Sequence, residues 1–124
     1  MLGTSRLVAF AATTDFAVAR SFYRDILGLR LLSETPFALE FEVTGGALRV
    51  TKVETVVAAP YTTLGWNVAD IASTVEALAG RGVQFERYAA LTQDLHGIWR
   101  SPGGAQIAWF RDPDGTLLSL TQSG

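Results

Sequence analysis

A short apolar run, an aspartate, an amphipathic helix closed by glycine and then further apolar runs occur twice in this chain. Such a repeat restricts the fold more than any single motif does, because each copy is one supersecondary unit with one face to bury. In the first copy, Leu7-Val8-Ala9-Phe10-Ala11-Ala12 reads as a strand leading into Thr13-Thr14-Asp15. Ala19, Phe22, Tyr23, Ile26 and Leu27 follow at three- and four-residue spacing and predict a helix with one apolar stripe. Thr14 or Asp15 is placed to cap it, and Gly28 to end it in a left-handed conformation. Leu29 to Ser33 reads as a strand. Phe37, Leu39, Phe41 and Val43 alternate with Ala38, Glu40 and Glu42 in a half-buried strand. Gly45-Gly46 makes a hairpin turn, and Ala47 to Glu54 returns.

The second copy begins after Pro60, with a strand at residues 61–68 and Asp70 in the place of Asp15. Ile71, Val75 and Leu78 form the next helical stripe, closed by Gly80 and Gly82. Val83 to Tyr88 reads as a strand and residues 89–96 as a loop. Gly97 to Ser101 and Ala105 to Phe110 form a hairpin around Pro102-Gly103-Gly104. Asp112-Pro113-Asp114-Gly115 is a turn before a last strand, Leu117 to Gln122. The reading is an α+β chain of two βαβββ modules, about 5–55 and 61–122, forming one domain over 1–124. The uncovered faces of the two modules would form a cup suited to a ligand. The joint from Lys52 to Pro60 carries Val56-Val57-Ala58-Ala59, apolar enough to pack.

Composition narrows the function. The chain has 124 residues, 48% of them hydrophobic, which suits one independent core. Ten basic and twelve acidic residues are dispersed, for a net charge of −2, so no nucleic-acid footprint is expected. There is no cysteine, which removes thiolate metal ligands and cysteine nucleophiles and fits a cytoplasmic protein. Arg6 before the run from Leu7 is a faint echo of a signal peptide, but a buried strand is the better reading. No stretch is long enough for a membrane span.

Two segments resemble those of a known family. Phe22-Tyr23-Arg24-Asp25-Ile26-Leu27-Gly28-Leu29 and Phe110-Arg111-Asp112-Pro113-Asp114-Gly115-Thr116-Leu117-Leu118 are similar to motifs of the vicinal-oxygen-chelate superfamily, which includes glyoxalases, bleomycin-resistance proteins and extradiol dioxygenases. The resemblance covers nearly the whole chain. It implies the cup of two βαβββ modules and a homodimer. In the superfamily's enzymes, His, Gln and Glu on the first and last strand of each module hold a divalent metal. Carried onto this chain, those positions fall on Val8, Arg49 (or Val50), Thr63 and Ser119. Valine has no donor, arginine has no free lone pair, and the two hydroxyls are poor ligands. The expectation is therefore no metal and no cofactor.

Arg49, mid-strand and facing the cup, is the leading candidate to receive an anionic or carbonyl group; the alternative is a salt bridge to Glu40 or Glu42. His96, the only histidine, stands in a loop and is either a surface residue or a proton carrier, with Asp94 near in sequence. Trp99 and Trp109 stack on a flat ligand or fill a core or interface. Trp66, opposite in parity to Thr63, is expected under a helix, and Phe37 and Phe41 in ordinary strand positions. Candidate ligand contacts are thus Arg49, Thr63, Ser119, Trp99, Trp109 and His96, with no catalytic set evident. The leading expectation is metal-independent binding of a small organic molecule in the cup, in the manner of bleomycin-resistance proteins. The alternatives are a lyase, isomerase or dioxygenase with an atypical site, and a structural module without a ligand.

Overall fold

The computed structural model describes residues 1–124. The chain divides into two compact units, Met1–Val57 and Ala58–Gly124. The first comprises β1 (Leu7–Thr13), α1 (Phe16–Arg20) continuing as a π-helical turn over Ser21–Ile26, β2 (Arg30–Glu34), β3 (Ala38–Val43) and β4 (Gly46–Lys52). Its sheet has the order β1-β4-β3-β2, with β1 parallel to β4 and the other pairs antiparallel. Asp15 starts the helix as expected, its Oδ1 accepting from the amides of Ala17 and Val18 at 2.9 and 3.4 Å. One continuous α-helix to Leu27 is not what forms. The Leu27 amide donates to the Phe22 carbonyl five residues back, at 2.9 Å, and the winding loosens before Gly28 (φ +79°) ends it. Apolar residues three and four apart over so short a segment fit both windings.

The helix covers one sheet face. Tyr23 is 1% exposed and its ring lies 5.8 Å from that of Phe41. Phe41 pairs with Leu48, and Leu39 with Val50, in a row of fully buried side chains. The opposite face, free of helix, carries Val8, Phe10, Ala47, Arg49, Glu40 and Glu42, by register and strand alternation.

The second unit holds β5 (Leu64–Asn67), α2 (Ile71–Gly80), β6 (Trp99–Arg100), β7 (Gln106–Arg111) and β8 (Leu117–Gln122), in the order β5-β8-β7-β6. The parallel β5–β8 pair and the antiparallel β7 mirror the first sheet. Asp70 caps α2 through the Ser73 amide at 3.1 Å. The Gln122 amide oxygen accepts from the Ile71 amide at 2.8 Å, which places Gln122, and with it Leu118 and Leu120, on the helix side. Trp66 pairs with Leu120 on that side, as expected, and is half-buried.

Two strand expectations and one packing expectation are corrected. Val83 to Tyr88 forms only one isolated bridge, Phe85 to Phe110, so this module too is βαβββ, with Trp99–Arg100 as its second strand. The reason is edge occupancy. β6 takes the β7 edge at Gln106 and Ile107, and Phe85–Glu86 takes the same edge further along, where the Glu86 amide donates to the Trp109 carbonyl at 2.8 Å. Phe37 precedes β3 and is 77% exposed. The joint between the units has no helix or strand, and Val57 on it is exposed rather than packed. No helix is long and apolar enough to cross a membrane.

Candidate functional site

Each sheet has one face covered by its own helix, and the sequence-derived positions sit on the other. Val8 pairs with Ala47 and Arg49 with Phe10, so Val8 and Arg49 share the helix-free face of the first sheet. The Arg49 guanidinium is 3.5 Å from Glu40 Oε1 and lies over the Phe10 ring, 5.8 Å from its centroid. Ser33 donates to the other oxygen of Glu40 at 3.4 Å. The internal salt bridge considered for Arg49 is therefore present. The guanidinium is half-exposed, with 44% of its side chain open to solvent. A half-exposed charge is not forced to pair, which leaves donor capacity for an anionic group from solvent.

On the second sheet, Ser119 pairs with Gly65 on one side and with Trp109 on the other. Trp99 pairs with Ile107, two residues from Trp109, and the two indole rings lie 6.1 Å apart with a 34° tilt. Thr63, just before β5, belongs to the same face by alternation, and its amide donates to the Leu117 carbonyl at 3.1 Å. Ser119, Trp99, Trp109 and Thr63 are thus brought to one helix-free face. Tyr88 joins them, its ring edge-on to Trp109 at 5.4 Å and 86°. Burial, together with the charge of Glu86, pushes the Tyr88 phenol above its ordinary range, against a smaller opposing pull from Arg111.

His96 is placed elsewhere. Its Nε2 lies 3.4 Å from Glu76 Oε1 on α2, the helix that covers the other face. Asp94 accepts from the His96 backbone amide at 2.9 Å, so it fixes the loop and not the ring. Phe41 lies in the helix-covered core. The sequence reading missed Tyr88 and Gly65. Tyr88 reaches the face because Gln93 holds its segment: the amide oxygen accepts from Tyr88 N at 2.7 Å, and the amide nitrogen donates to the carbonyls of Glu86 and Gly97 at 2.9 and 2.8 Å.

The residues present do not fit a divalent metal. Nowhere do three His, Cys, Asp or Glu side chains come together. The positions that the family resemblance points to carry Val8, Arg49 (or Val50), Thr63 and Ser119, none of them a strong donor to such an ion.

The fold and these faces define a class. The sequence profile of the glyoxalase/bleomycin resistance protein/dioxygenase superfamily matches residues 6–120, and the chain belongs to that superfamily. Among solved structures, a glyoxalase/bleomycin resistance protein/dioxygenase from Alicyclobacillus acidocaldarius aligns at TM-score 0.73 and 18% identity, over 97% of this chain and 92% of that one. Lactoylglutathione lyase from Agrobacterium tumefaciens aligns at 0.74 and 18%, over 96% and 93%. TioX from Micromonospora sp. ML1 aligns at 0.72 and 21%, over 97% and 99%. At such identities the likeness is one of fold. No curated protein matches the sequence.

Proposed function

We propose that this chain binds a small organic molecule on the helix-free faces of its sheets, without a metal, as a cytoplasmic homodimer in the manner of a bleomycin-resistance protein. The observation that carries the reading is the chemistry of those faces. The positions that hold metal in the superfamily's enzymes read Val8, Arg49, Thr63 and Ser119, and aromatic rings stand beside them. The family match runs through both units, which supports reading them as two modules of one domain. The placement of His96 beside Glu76 removes one proton carrier from the faces and weakens an enzymatic reading.

Calorimetric titration of the purified protein with Zn²⁺, Ni²⁺ and Mn²⁺ tests the metal-free claim. The expected result is no stoichiometric heat with any of the three. A saturable one-per-chain site that Ser119→Ala abolishes would overturn it.

A further inference from the structure

Ser119 is 8% exposed, yet its hydroxyl makes no hydrogen bond within the chain. No fully enclosed side-chain oxygen or nitrogen lacks a partner, so this hydroxyl keeps contact with solvent. A hydroxyl in a nearly buried residue that still meets solvent has its donor and acceptor capacity open to a ligand. Its neighbours across the sheet form a graded row. Trp109 on β7 supplies a tall aromatic wall, Ser119 on β8 a short polar centre, and Gly65 on β5 nothing above the backbone. Adjacent strands lie about 4.8 Å apart, so the row spans roughly 10 Å, the width of a bicyclic ring system.

Gly65 keeps the row open. A Cβ built there would lie 2.9 Å from Ser119 Oγ. The row also defines its ligand's charge. Arg111, on the same face, spends Nε on Glu86 and Nη1 on the Gly115 carbonyl, whereas Arg49 makes only its ion pair to Glu40, so the charge beside the row is the one already held by hydrogen bonds. The aromatic group does not form a cage for a cation. The rings of Tyr88, Trp109 and Trp99 are in mutual contact, at 5.4 and 6.1 Å between centroids, with no room between them for an ammonium group.

We infer that Trp109, Ser119 and Gly65 form a subsite for a neutral, flat aromatic ring bearing a hydroxyl or carbonyl, stacked against Trp109 and hydrogen-bonded to Ser119 Oγ over Gly65. This rests on the ligand-binding reading above and specifies its chemistry in the second module. Gly65 is the specificity-determining residue, because any side chain there turns the serine hydroxyl aside and raises the floor.

The test compares 2-naphthol with 2-methylnaphthalene, near-isosteres that differ in the hydrogen-bonding group, by following the backbone amide signals and the indole N–H signals of Trp99 and Trp109 in NMR titrations. The naphthol-to-methylnaphthalene affinity ratio should fall about fivefold in Ser119→Ala and again in Gly65→Ala, the worth of one ordinary hydrogen bond. The Gly65 variant crowds only a rotatable hydroxyl, so a folded protein is expected. An unchanged ratio in either variant, or no response of Trp109 to either probe, overturns the subsite. Probe-induced shifts confined to Phe10 and its neighbours around Arg49 would do so too, while leaving metal-free ligand binding standing.

Discussion

Arg49 sits between two partners of different kinds, the Glu40 carboxylate and the Phe10 ring. Neither is buried deeply enough to make the contact a strong stabiliser. An ion pair with side chains 44% and 29% exposed contributes at most about 1 kcal/mol. Arg49→Leu should therefore leave the urea-unfolding free energy within about 1 kcal/mol of the parent while removing affinity for anionic ligands. A loss of several kcal/mol would assign Arg49 to the architecture instead. Tyr88 makes the opposite kind of prediction. Its phenol is held above the usual tyrosine range in the folded state, chiefly by burial. The folded state thus retains a proton that the unfolded chain gives up. The associated stability is fully present below the unfolded pKa of about 10 and is lost as pH rises through the folded value. In an absorbance titration, the component missing from Tyr88→Phe should titrate above a free tyrosine. A component at or below that position contradicts the placement.

Among elements, the junction of β1 with β4 is the most exacting. Leu7 pairs with Gly46 in parallel register, and a Cβ on Gly46 would collide with the Leu7 carbonyl oxygen, a backbone atom that cannot swing away. Gly46→Ala should destabilise the fold by about 1–3 kcal/mol in denaturant unfolding, as forced overpacking does. Wild-type stability in that variant would mean β1 does not pair there. The elements that the sequence discloses are those governed by local chemistry: the caps Asp15 and Asp70, the turn at Gly28, and the alternation through Leu39 and Phe41. At Asp112, Oδ1 accepts from the amides of Asp114 and Thr116, as turn chemistry implies. Residues 83–88 misled because Val83 and Phe85 alternate with Gln84 and Glu86 as a strand does, whereas pairing depends on a free edge that β6 already occupies in part. Ser119 is reached through the family resemblance, and Trp99 and Trp109 stand in the sequence equally for ligand, core or interface; strand pairing puts the three on one face. Tyr88 and Gly65 are not legible in the sequence, since one is positioned by the Gln93 clamp and the other matters only through what a side chain there would strike.

For the whole molecule, the superfamily supplies the architecture and this chain supplies different chemistry on the faces it exposes. One sheet presents a half-exposed guanidinium and the other an aromatic group beside a serine hydroxyl. Native mass spectrometry of freshly purified, untagged protein tests that account most directly. It predicts a dimer without metal that carries an organic molecule, with the added mass reduced or lost in Arg49→Ala and in Ser119→Ala. A dimer or monomer that retains a stoichiometric metal through desalting, and carries no organic molecule, would contradict it.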